Sequence, residues 1–137
     1  MKTKIPYSLL LIFIITVFTT CKDDIPDSLN GSAWEWSLSG EEALMELGIP
    51  EGTNTSLTFT LTIQFISETH VRMHDRYKGV IDGESVDEID NDESGTYTYN
   101  SETGDVIICI ETCVDGIISG NKLKFTEEGE SITFTKK

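Results

Sequence analysis

The sequence predicts an all-β domain, an antiparallel up-and-down meander carrying one short helix. Three observations predict it: a strict alternation over Leu57–Phe65, the same two-residue period in six further segments, and Gly, Asn or Asp turn residues between them. In Leu57-Thr58-Phe59-Thr60-Leu61-Thr62-Ile63-Gln64-Phe65 every odd position is apolar and every even one polar. Alternate side chains of a strand point to opposite faces, so a sheet gathers this apolar set on one side and a helix does not. At ~3.3 Å per residue the segment runs ~30 Å, the height of a small barrel or sandwich.

The other elements follow in order. Trp34, Trp36 and Leu38 mark a first strand. Ser39 is a candidate N-cap with Glu42 completing a capping box; Ala43, Leu44 and Leu47 form an apolar stripe, and Gly48 and Pro50 end the helix. A helix near residues 40–47 is too short to stand alone, so it must dock on the sheet or across a barrel mouth as a plug. Val71/Met73, Tyr97/Tyr99, Val106/Ile108/Ile110, Leu123/Phe125 and Ile132/Phe134 mark later strands, with turns at Ser67-Glu68, Asn100–Gly104, Asp115-Gly116, Gly120-Asn121 and Glu127–Glu130. Asp82, Glu84, Asp87, Glu88, Asp90, Asp92 and Glu93 read as one solvated acidic loop.

The chain has 137 residues, 10 Lys+Arg and 24 Asp+Glu, for a formal charge of −14. That length suits one domain. The acidic excess excludes a nucleic-acid partner, because phosphate binding needs a basic face. Lys2 and Lys4 precede an apolar run, Leu9–Phe18, too short to cross a ~30 Å hydrocarbon core and matched to a signal peptide over residues 1–20. Phe18-Thr19-Thr20-Cys21 resembles the lipobox of bacterial lipoproteins, which implies lipidation at Cys21 and stable anchoring by acyl chains. Lys22-Asp23-Asp24 resembles the signal that directs Bacteroidetes lipoproteins to the outer face of the outer membrane. Residues 21–30 read as a tether and linker, and 31–137 as the folded domain. Removing residues 1–20 takes two lysines and no acid, leaving 8 basic and 24 acidic groups and a formal charge of −16.

Leu29-Asn30-Gly31-Ser32-Ala33-Trp34, the Thr-rich strand ending Phe65-Ile66-Ser67, Gly95-Thr96-Tyr97-Thr98-Tyr99, Ile118-Ser119-Gly120-Asn121-Lys122-Leu123 and Phe134-Thr135-Lys136 resemble, in that order, the small lipocalin-like lipoproteins of Bacteroidetes. The resemblance covers nearly all of residues 29–137. It implies a meander closed into an up-and-down barrel of about eight strands.

Candidate chemistry is sparse. His70 and His74 lie on the polar face of a strand over Thr69–Asp75, ~13 Å apart by strand rise and too far to share a metal; no nucleophile elbow occurs. Asp90-Asn91-Asp92-Glu93-Ser94-Gly95 opens like a calcium loop, with oxygen ligands at Asp90, Asp92 and Ser94, although position twelve is Ser101 in place of Glu. No other cofactor is expected. Cys109 and Cys113 bridge if the chain turns within Ile110-Glu111-Thr112, since a straight strand would hold them too far apart; otherwise they are two buried or half-buried thiols. The aromatic residues Trp34, Trp36, Phe59, Phe65, Tyr97 and Tyr99 are expected to fill the core of so small a barrel. A pocket, if formed, should involve Trp34 and Trp36 near the helix-covered mouth. These readings converge on a non-catalytic outer-membrane lipoprotein, lipid-anchored and facing the cell surface, that binds a small ligand or interacts with an envelope protein. The alternative is a structural accessory subunit of an envelope complex with no small-molecule site. A deep apolar cavity would favour the first, and a filled barrel with an apolar outer patch the second.

Overall fold

The computed structural model describes residues 24–50 and 55–137; the segment expected to be a signal peptide, and Cys21, Lys22 and Asp23, lie outside them. Eight antiparallel strands, β1 (Ala33–Ser39), β2 (Ser56–Phe65), β3 (His70–Ile81), β4 (Glu84–Tyr99), β5 (Asp105–Cys109), β6 (Cys113–Ser119), β7 (Lys122–Glu127) and β8 (Glu130–Lys136), close into a barrel in chain order. Among the described residues one helix, α1 (Glu41–Glu46), lies between β1 and β2. The barrel and its core are complete within residues 24–137.

The alternation in β2 does what the period requires. Leu57, Phe59, Ile63 and Phe65 are buried and Leu61 is half-buried against the core. Meander topology puts α1 and the β3–β4, β5–β6 and β7–β8 turns at one end. The β2–β3, β4–β5 and β6–β7 turns, the entering chain and the C-terminus share the other. That second end is filled: Leu29, Trp34, Phe65, Val71, Tyr97, Val106, Ile118, Leu123 and Phe134 form its core. Trp34 is fully buried, with its Nε1–H donating to Ser32 Oγ at 3.0 Å.

Residues 24–30 are not a free linker. The Gly120 N–H donates to Asp24 O at 2.5 Å, Tyr99 Oη donates to Pro26 O at 2.6 Å, and Leu29 inserts into the core. An apolar anchor and these hydrogen bonds dock the segment across the closed end, and Ser28 Oγ adds a donation to the Glu68 carboxylate at 2.9 Å. Sequence polarity hid this, because the bonds use backbone carbonyls that any residue carries.

Burial holds the Tyr97 and Tyr99 phenols above the ordinary value of 10.0, with Glu68 and Asp27 respectively adding to the shift. A raised folded-state pKa means that the unfolded chain releases these protons first. Their stabilisation is therefore intact below pH 10.0 and lost as pH rises through the folded-state values. Tyr97→Phe/Tyr99→Phe removes the donations of Tyr97 Oη to Ser67 O, at 2.7 Å, and of Tyr99 Oη to Pro26 O, and should lower neutral-pH stability by about 1 kcal/mol per lost bond and flatten the alkaline decline in Tm. Coincident alkaline profiles for the two proteins would contradict this.

Four local expectations are corrected. Ser39 ends β1, paired with Thr58, so it is not free to cap α1; Gly40 takes that place at φ 67, with no side-chain cap bond. Ala43 and Leu44 still bury the helix against β1 and β2. The acidic segment is not a loop but most of β4, entered through a tight turn with both Asp82 (φ 51) and Gly83 (φ 86) left-handed. Strand pairing survives the charge because Arg76 clamps Asp87 and Arg72 clamps Asp92 across the ladder. The expected strand over Thr69–Asp75 thus runs on to Ile81. Finally, Asp115-Gly116 lies inside β6; a Cβ on Gly116 would sit 2.7 Å from the Phe125 ring, so this glycine makes room for an aromatic across the sheet. The β5–β6 turn falls at Ile110–Thr112, where Cys109 and Cys113 are paired in register and joined by a disulfide.

Candidate binding cavity

The walls are zipped at the closed end and splay at the other. Among the described residues β1 and β8 pair only at Trp34–Lys136 and Glu35–Thr135, β6 and β7 over Gly116–Ser119, and β4 and β5 over Thr96–Tyr99. Above these ladders the lumen opens into a cup of about 370 Å³. Its wall continues the inward alternation of each strand: Leu61 and Ile63, Met73, Ile108 and Ile110, Val114, Phe125, then Ile132 and Phe134. The lower layer is filled by large rings, including Phe65 and Tyr97 in edge contact at 4.6 Å. The upper layer carries Gly95, Val114 and Gly116 at inward positions and lacks the volume to fill the space. A cup of this size and lining suits a small ligand.

The polar groups at the cup are Glu93 on β4, opposite Met73, and Glu111 and Thr112 on the β5–β6 tip. The disulfide closes a five-residue loop around that tip, worth about 2 kcal/mol in the chain-entropy model, and so holds Glu111 and Thr112 at the rim. A second pocket of about 480 Å³ adjoins it and shares Phe125 and Ile132, adding Glu127, Glu128 and Glu130 from the β7–β8 tip. Beneath α1 a smaller space is lined by Leu47, Ile49, Leu57 and Tyr77. Basic groups are on the outside, where His74, Arg76, Lys78 and Lys137 flank the Thr58/Thr60/Thr62 ladder. His70 and His74 share this outer face of β3, as expected.

Trp34 and Trp36 do not line the cup. Trp34 belongs to the closed end, and Trp36 packs against the core and meets Phe59 edge-on at 6.1 Å. The expectation set both residues at the helix-covered mouth, whereas Trp34 stands where β1 begins, at the opposite end, and Trp36 stands mid-strand opposite Leu61, its ring turned to Phe59.

The calcium arrangement also does not form. A register shift between His74 and Arg76 sets Asp90 and Asn91 opposite Asp75, a bulge that reverses which residues of β4 face inward. Asp90 consequently sits with Tyr77 and Leu57 on the inner side, while Asp92 points outward to Arg72. Opposite faces of a sheet cannot share one ion. Among the described residues no group of three His, Cys, Asp or Glu side chains is arranged to hold a metal. The Arg72 and Arg76 guanidiniums hold Asp92 and Asp87 below the usual carboxylate range by direct hydrogen bonds.

Buried Asp75 was not singled out from the sequence. It is 7% exposed on the inward face, and its carboxylate accepts from the Asn91 N–H and from Asn91 Nδ2, both at 2.8 Å. Its position in the Val71–Met73–Asp75–Tyr77 alternation was the available signal: an acid on an apolar face needs a partner.

A closed antiparallel barrel of eight strands in meander order, filled at one end and cupped at the other, defines a small lipocalin-like barrel. Comparison with family models, curated proteins and solved structures finds no match to this chain.

Proposed function

We propose that this protein is a lipid-anchored, non-catalytic binding module that holds a small apolar ligand in the cup at the cell envelope. The observation that carries this reading is the apolar cavity of about 370 Å³, continuous with the core and open at one end. Its place in the fold agrees with an anchor at Cys21. Asp24 docks on the closed end, and the three residues from Cys21 to Asp24 reach at most ~10 Å when extended, so an acylated Cys21 would set the closed end on the membrane and turn the mouth away from it. With Lys22-Asp23-Asp24 read as an export signal, that mouth faces the cell exterior. The accessory-subunit reading draws on Ile107 and Ile117, exposed on the outer β5–β6 face.

The test is titration of Nile red, a neutral apolar dye, into the protein from residue 22 on. Saturable binding is expected, lost in Ile132→Trp, which puts an indole into the cup without altering the closed end. Absent binding, or equal binding by the variant, would refute the ligand site. In cells, Cys21→Ser should abolish lipid labelling and release the protein from membranes; unchanged fractionation would defeat the anchor.

A further inference from the structure

The charged groups at the cup all carry one sign. Glu93 and Glu111 line it and Glu127, Glu128 and Glu130 line the pocket beside it; among the described residues no Lys, Arg or His lines either. The segregation follows from strand alternation. On β3 the basic residues Arg72, His74, Arg76 and Lys78 occupy outward positions, while Val71, Met73, Asp75 and Tyr77 face in. On β4 Glu93 falls on the inward side opposite Met73, next to Asp92, which turns outward and is taken by Arg72. Among the described residues Glu93 and Glu111 have no ion-pair partner.

A ligand with its apolar body in the cup therefore ends beside two carboxylates set against low-dielectric walls. There a positive end is attracted, and a negative one repelled, more strongly than on open surface. We infer that the cup is selective for a small cationic amphiphile, an alkyl or aryl amine. Its apolar body lies among Ile63, Ile108, Phe125 and Phe134, and its ammonium lies at Glu93 and Glu111. The inference rests on the cup being a ligand site, as proposed above, and adds the charge of what it holds.

Decylamine, decanol and decanoate share an alkyl chain and differ at the head. Each competes against Nile red for the protein from residue 22 on, at neutral pH and moderate salt, below the concentrations at which the probes aggregate. Decylamine is expected to bind about tenfold tighter than decanol, with decanoate weaker than both. In Glu93→Gln/Glu111→Gln the amine and alcohol should converge to within about twofold, the larger change falling on the amine. Both sites are exposed, and a thermal melt checks that the variant folds. Competition by decanol with no preference for the amine, or tightest binding of decanoate, overturns the cationic reading and leaves the cup as a ligand site. A preference undiminished in the double variant also overturns it, since the net charge of the protein would then be doing the selecting. If none of the three displaces a dye that itself binds, the cationic reading falls alone; if the dye does not bind either, the ligand site falls with it.

Discussion

Trp34→Ala is expected to cost about 3–5 kcal/mol, a large part of the ~5–15 kcal/mol that holds a domain of this size together. Two effects add at this position. The indole is fully buried among the rings and aliphatic groups of the closed end, so truncation leaves a cavity that rigid neighbours on several strands cannot collapse into. Trp34 also stands in the short β1–β8 ladder, opposite Lys136 on one side and Ile63 on the other, where the barrel closes. Loosening that ladder frees two edges. Urea denaturation should show the midpoint falling sharply, whereas Trp34→Phe, which keeps most of the volume, should lose much less. Because Trp34 does not line the cup, Trp34→Phe should bind Nile red as the parent does. A loss below about 1 kcal/mol for the alanine variant would mean that the closed end is not the seat of stability described here.

Asp75→Ala is expected to cost about 2–3 kcal/mol although it removes a charge from a largely apolar wall. The carboxylate, itself buried, satisfies two donors of one residue, the backbone and side-chain amides of Asn91 at the bulge, and its loss removes two charge-assisted bonds at once. In Asp75→Asn the amide oxygen can still accept from the Asn91 N–H, and its NH₂ can donate to Asn91 Oδ1 once that side-chain amide turns over. It should therefore lose less stability than the alanine variant, its loss being the difference between charge-assisted and neutral bonds. Asn91→Ala leaves the backbone donor in place and should cost less. In a double-mutant cycle the Asp75 and Asn91 side chains should couple by about 0.5–3 kcal/mol, and additive losses would refute the pairing. If Asp75→Ala proved as stable as the parent, the bulge would be held by something other than this carboxylate.

The parts of the fold legible in the sequence were those that one strand specifies for itself. Leu57–Phe65 alternates so strictly that its inward face needed no neighbour to reveal it, and the Cys109–Cys113 spacing stated the condition for a bridge that the turn at Ile110–Thr112 then meets. The acidic stretch reads as a loop on its charge density alone, and the turn at Asp82-Gly83 that leads into β4 is not among the expected ones. What makes a strand of Glu84–Ser94 is a set of arginines on β3, twenty residues away in the case of Arg72 and Asp92. The calcium reading failed for a related reason: spacing in the chain put Asp90 and Asp92 together, and a bulge on the partner ladder put them on opposite faces.

Taken by itself, the sequence determined the all-β class, the meander, most of the turns and the inward face of each clear strand. Those depend on the two-residue period of a strand and the backbone needs of turns, both local properties. Only the tertiary structure decided that one end is filled and the other hollow, that residues 24–30 brace the closed end, and that Glu93 and Glu111 share a cup that no basic residue lines among the described residues. Each of these is a sum over eight strands brought side by side. The volume left in a lumen, and the sign of the charge around it, exist only once register and shear have chosen which inward residues stand at the same height.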